Sequence, residues 1–156
     1  MADINGSFSS WGSDKGYPII RYSYSQDIVN NFTDITATLI FKRTGSYYAY
    51  NLSTHSNTSN IDSETNYSGD TDFDLRSGVG EYSLRTVTKR VYHNADGTRQ
   101  VWIGWSGDTK VSPGTYNFGA TITLPTIPRE AYITNAVSFQ VGNNIPLTIY
   151  NAGSMY

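Results

Sequence analysis

Tyr116, Phe118, Ala120, Ile122 and Leu124 are five apolar residues set at every second position, and no other feature of the chain constrains its fold as tightly. A period of two puts all five side chains on one face of an extended strand, whereas a helix would scatter them around its circumference. The same alternation recurs in Ile35, Ala37, Leu39 and Phe41, and again in Val101, Ile103 and Trp105. Composition agrees. Ile and Val together number 21 against 6 Leu, and Tyr numbers 13, so residues that fit a pleated surface outweigh the good helix formers. With 14 Gly and 13 Asn available for turns, the chain reads as all-β. Its 156 residues are one domain's worth and bury a core without the help of cysteine, which is absent.

The pattern predicts an antiparallel β-sandwich, jelly-roll-like or immunoglobulin-like, of about seven to nine strands. Expected strands cover residues 4–8, 17–24, 34–43, 47–52, 72–77 and 81–92, then the two segments around Trp105 and Phe118. In 81–92, Tyr82 and Leu84 share one face and Val87 and Val91 the other, which calls for a bulge between them. Residues 53–70 are rich in Ser, Thr, Asn and Asp, and read as a long exposed loop. His93-Asn94-Ala95-Asp96-Gly97 reads as a turn with Gly97 at positive φ. Pro125 and Pro128 break the last strand and mark a boundary. Residues 1–128 are thus one sandwich module. Residues 129–156 are a linker and the start of a second β module or strand appendage, with Val137, Phe139 and Val141, then Ile145, Leu147 and Ile149, as two further strands. So short a piece buries no core alone, which fits a natural chain that continues beyond Tyr156.

Charge excludes several functions. Eleven basic and 13 acidic residues leave a net charge of −2, with no basic surplus for a phosphate backbone, so no nucleic-acid partner is expected. No apolar run is long enough to span a membrane, and residues 1–10 lack the pattern of a signal peptide. No nucleophile elbow or phosphate-binding glycine loop appears. Only three glutamates are present (Glu64, Glu81, Glu130), and the aspartates lie mostly in polar stretches that would not raise a carboxyl pKa, so catalysis and cofactors are not expected. Asp70, Asp72 and Asp74 alternate, placing three carboxylates on one side of an extended segment. Such a set can hold Ca²⁺, but no glycine or glutamate completes a loop, and a charged edge strand is the expected reading, with no metal assigned.

Several short motifs resemble one family. They are Met1-Ala2-Asp3-Ile4-Asn5-Gly6, the Ser25-Gln26-Asp27 to Asn30-Asn31 stretch, the His93-Asn94-Ala95-Asp96-Gly97-Thr98 turn, and Ala120-Thr121-Ile122-Thr123-Leu124 before Thr126-Ile127-Pro128-Arg129. They resemble the N-terminal module of uncharacterised minor structural proteins from siphophages of streptococci and related Gram-positive hosts, over roughly residues 1–130. The resemblance implies a virion location at the tail tip or baseplate, other tail proteins as partners, further β modules downstream, and contact with host surface saccharide.

Sugar rings offer C–H faces that stack on aromatic rings, and hydroxyls that pair with amides, carboxylates and guanidinium groups. Trp102 is the first candidate, because it alternates with Val101 and Ile103 and so points outward if they are core. Gln100 stands beside it, and Gly104 leaves space next to the ring. Trp11, in the loop Ser10-Trp11-Gly12, is a second candidate, although a plug over the core edge is the commoner place for an indole. Tyr48 and Tyr50 share a face if their segment is a strand, forming a platform of two rings. Arg21 is a candidate donor to sugar hydroxyls or teichoic phosphates, as are Lys42 and Arg43, although a solvated face is the commoner role for such charges. The expected function is a non-catalytic module binding host cell-wall or surface polysaccharide. A purely structural virion spacer and a polysaccharide depolymerase are the alternatives.

Overall fold

The computed structural model describes residues 1–129, 131–132 and 150–151. Eight strands fill the described part of the sandwich: β1 (Ala2–Asn5), β2 (Gly16–Asp27), β3 (Phe32–Arg43), β4 (Leu52–Ile61), β5 (Glu64–Asp74), β6 (Gly80–Tyr92), β7 (Arg99–Asp108) and β8 (Thr115–Leu124). They form two four-stranded antiparallel sheets, ordered β1-β2-β3-β6 and β5-β4-β7-β8. We call these the first and second sheet. Two short strands, β9 (Ala131–Tyr132) and β10 (Tyr150–Asn151), pair with each other. The expected strands around Phe139 and Leu147 lie outside the described residues.

The connectivity decides between the two expected architectures. β3 and β6 pair in one sheet while β4 and β7 pair in the other, flanked by β5 and β8. That is the immunoglobulin-like Greek key, with β1 added at the edge of the first sheet. The core lies where the alternation placed it. Ile35, Ala37, Leu39 and Phe41 of β3 face Val101, Ile103 and Trp105 of β7, and all are buried. Tyr116 and Leu124 close β8 from the same side, with Phe118 and Ile122 partly covered. The bulge in β6 is present: Leu39 pairs with Arg85 and Ile40 with Ser83, so Leu84 is the extra residue and the strand changes face there. Gly97 takes φ +84, closing the His93 turn as expected. Ile127 is buried, and its N–H donates to Gly97 O, which ties the Pro125–Pro128 segment to that turn.

Two expectations are overturned. Residues 53–70 are not a loop but most of a hairpin, β4–β5, joined by the two-residue turn Asp62-Ser63. Both turn residues are left-handed, at φ +58 and +63, the geometry that matches strand twist. Its usual sequence signal is a glycine, and none is here. The inward row of β4 also escapes detection, because His55, Asn57 and Ser59 are buried but polar. They are tolerated because most of their polar atoms are paired. The His55 ring donates from Nδ1 to Thr71 O at 3.0 Å and accepts at Nε2 from Tyr116 Oη–H at 2.7 Å. Asn57 Oδ1 accepts from the Trp105 indole N–H at 2.9 Å.

The second correction is residues 47–52, expected as a strand. Tyr47–Asn51 lie outside any strand, and β4 begins at Leu52. Tyr50 dictates the turn. Its hydroxyl donates toward Lys15 O and Gly45 O, both 2.9 Å away, which draws the chain back over the Arg43 end of β3.

Candidate functional site

The outward face of the second sheet is assembled from alternate residues of four strands. β7 contributes Gln100, Trp102, Gly104 and Ser106, and β8 contributes Asn117, Gly119, Thr121 and Thr123 opposite them. β4 adds Ser56, Thr58 and Asn60, and β5 adds Ser68 and Asp70. The face is therefore hydroxyl, amide and carboxylate, with a single indole among them.

Trp102 is 44% exposed, as its alternation with the buried Val101 and Ile103 required. Its ring is not upright beside open space. Gly104 and Gly119 stand opposite each other across β7 and β8. A Cβ placed on Gly104 would come 2.6 Å from Trp102 Nε1, and one on Gly119 would come 2.6 Å from Trp102 Cζ2. The indole thus lies down over a floor of two glycines, one face against the sheet and the other toward solvent. The space expected beside the ring at Gly104 is occupied by the ring itself. Gln100, the next outward residue, is exposed and donates to Thr123 Oγ1 at 3.3 Å.

The other aromatic candidates are placed elsewhere. Trp11 is 5% exposed and packs edge-on against Phe8 and Tyr50, with ring centroids 5.7 and 4.7 Å away. Tyr50 is buried beneath the Arg43 guanidinium, whereas Tyr48 is 95% exposed at the tip of the turn. The expected two-ring platform does not form, because the segment is not a strand. Tyr48 pairs instead with Tyr47, at 5.1 Å between centroids.

Arg21 lies on the outward face of the first sheet and is fully engaged. Its guanidinium donates to both carboxylate oxygens of Asp3 at 2.8 Å and to Glu81 at 2.6 and 3.1 Å. Hydrogen bonding to these carboxylates raises its pKa further above the ordinary arginine value. The same bonds hold Asp3 and Glu81 below the ordinary carboxylate range. Arg43 donates to Gly45 O and Leu75 O, and Lys42 lies 4.0 Å from Glu81. None of the three cations reaches the Trp102 face.

The aspartate row on β5 is also engaged. Asp70 accepts from the Ser56 hydroxyl at 3.0 Å, Asp72 from Thr54, and Asp74 from Arg76 Nε at 2.9 Å. β5 is the edge of its sheet, so the row guards an open edge as expected of charged side chains there.

Sequence reasoning found the indole but missed the surface around it. Half of that surface is carried by the β4–β5 hairpin, which the polar composition disguised as loop. A recognisable signal was the run of Ser and Thr at even positions from Thr54 to Thr58, interleaved with His55, Asn57 and Ser59.

Comparison with known proteins adds one finding. A family model described as a siphovirus protein of unknown function (DUF859) matches residues 7–155. No curated protein and no solved structure matches the chain.

Proposed function

Since the chain belongs to this siphovirus family, we propose that it is a virion component, associated with the tail, that binds host cell-surface polysaccharide without catalysis. The observation that carries the reading is the Trp102 indole lying flat on the Gly104–Gly119 floor. A flat, half-exposed ring offers its π-face to the C–H face of a sugar. The surrounding hydroxyls and amides of Gln100, Thr121, Thr123, Asn60 and Asn117 offer the polar contacts that a pyranose ring needs. The indole's exposed face, set among groups that can hydrogen-bond a sugar's hydroxyls, supports a ligand role. Affinity at one such surface would be weak, and many copies on a virion would raise it through avidity.

The test is titration of the protein with cell-wall polysaccharide from a bacterial host, followed through tryptophan emission, with Trp102→Ala in parallel. Trp11 and Trp105 are buried, so an emission change on binding reports Trp102. Trp102→Ala should retain the fold and weaken binding at least tenfold, about 1.4 kcal/mol. Gly104→Ala should keep the fold yet lift the ring, because the nearest atom to its new Cβ is the mobile indole. Unchanged emission and unchanged cell labelling by both variants would leave the structural spacer as the function. Release of reducing ends would establish the depolymerase instead.

A further inference from the structure

The same surface also defines the chemistry of its ligand, an inference that rests on the Trp102 reading. Two shallow hollows border the second sheet toward the two ends of β7, the Trp102 strand. One, of about 550 Å³, is lined by Asn94, Thr98, Arg99, Gln100, Thr123 and Thr126. The other, of about 390 Å³, is lined by Ser56, Thr58, Ser68, Ser106 and Asp108, among others. Gln100 borders the first and Ser106 the second. Six residue steps along β7 separate them, roughly 20 Å of extended strand. That span exceeds one sugar ring and follows the strand direction, with Trp102 between its ends.

Cations are sparse along this track; Arg129 stands outside the lining of both hollows, beside Gly97 in the turn next to the first. Arg99 is the one cation lining either hollow among the described residues, and both its contacts, at 2.7 Å, go to the Asp62 carboxylate. Lys110 is held by Asp108 at 2.9 Å and Arg76 by Asp74. Arg21, Lys42 and Arg90 are tied to carboxylates of the first sheet and its edge, and Lys89 is tied to Glu64. Residues 130–156 contain no Lys or Arg. The outward side of the second sheet instead carries Asp70 and Asp72, whose hydrogen bonds come from neutral hydroxyls and leave their charge in place. A phosphodiester polymer laid along this face would meet the carboxylates of Asp70 and Asp72, with no unpaired cation among the residues lining the two hollows.

We propose that the Trp102 face takes an uncharged polysaccharide chain, seated lengthwise along β7 and β8, rather than a phosphate-bearing polymer. Two probes test it against the intact protein. One is the phosphate-free polysaccharide fraction of a bacterial cell wall, recovered as the flow-through of an anion exchanger. The other is polyglycerol phosphate. The neutral fraction should bind through Trp102, with a Kd that changes less than about twofold between roughly 50 and 200 mM salt. Its longer fragments should bind at least about tenfold tighter than its shortest ones. Thr121→Lys, which sets a cation beside the indole, should confer binding of polyglycerol phosphate on a protein that otherwise ignores it.

Trp102-dependent binding of polyglycerol phosphate by the unaltered protein, weakened at least about tenfold by the same salt change, would overturn the charge assignment and leave the Trp102 surface intact. Equal affinity for short and long neutral fragments would overturn the lengthwise seating. Binding of either probe that Trp102→Ala does not alter, or no binding of either, would overturn both this inference and the reading it rests on.

Discussion

The two sheets use polar residues in opposite ways. In the first, polar side chains stand outside and close on one another. Arg21 links Asp3 to Glu81, Arg90 holds Asp34, and Thr36–Thr88 and Thr38–Thr86 pair across strands at 3.0 and 2.8 Å. Its inward row on β3 is apolar from Ile35 to Phe41, and the one polar member, Thr33, is paired with the His93 ring at 2.6 Å. In the second, β4 sends His55, Asn57 and Ser59 inward. Outward it leaves an indole, two glycines and a field of small hydroxyl and amide groups. Both outward faces pair polar groups across strands: on the second, Thr58 pairs with Ser68, Thr65 with Asn60 and Gln100 with Thr123. What the second face has and the first lacks is an indole half-exposed on a floor of two glycines. The candidate ligand surface is therefore set by an uncovered ring, not by where polar residues are most abundant.

That contrast yields predictions of decreasing size. Asn57→Ala removes the acceptor for Trp105 Nε1 in the core and should cost about 2–3 kcal/mol by urea unfolding, whereas Thr36→Ala on the first sheet's exterior should cost less than about 0.5 kcal/mol. Equal costs would erase the distinction between the sheets.

Two residues along the same strand the sign should reverse. The Ser59 hydroxyl is buried without a partner among the described residues, so Ser59→Ala removes a desolvated group and should raise stability by up to about 1 kcal/mol. A loss above that size would mean the hydroxyl has a partner, such as an internal water.

Acid should act through the second sheet as well. Burial lowers the His55 pKa from the ordinary histidine value, because desolvation disfavours the imidazolium. Protonation would also put a proton on Nε2, where the Tyr116 hydroxyl now donates. The unfolded chain therefore binds the proton first. His55 contributes its full stabilisation above about pH 6.5, and that contribution is lost as pH falls from there toward the lowered folded-state pKa. The melting temperature should drop over that window, and His55→Gln should flatten the drop; an unchanged slope in the variant would assign the acid sensitivity to other groups.

The smallest effect belongs to Arg21. It is bound to two carboxylates at the surface, where solvent screens an ion pair, so Arg21→Ala should leave the proposed glycan binding unchanged and barely move the melting temperature. Weakened cell labelling by this variant would put a ligand contact on the first sheet.

The strands legible in the sequence share one property. β3, β7 and β8 bury a row of apolar side chains and expose a row of small polar ones, so the period of two is written in hydrophobicity. β4 and β5 alternate just as strictly, but β4's inward row is polar and its turn is Asp-Ser rather than a glycine pair. Nothing in local hydrophobicity distinguishes such a strand from a loop. Trp102 was legible for the same reason as β7, since its neighbours Val101 and Ile103 fixed its direction. Trp11, Tyr48 and Tyr50 were not, because outside regular strands no periodicity tells a ring which way to point.

Alternation along single strands settled the all-β class, the two-layer core and the outward direction of one indole, because side-chain direction in a strand follows from backbone geometry alone. Pairing between distant segments settled the rest. Only the partners supplied by Thr71, Tyr116 and Trp105 let His55 and Asn57 be buried. Only the register that sets Gly104 against Gly119 lays the ring flat. Those are contacts between residues far apart in the chain, and the energy that fixes them belongs to the pair rather than to either residue.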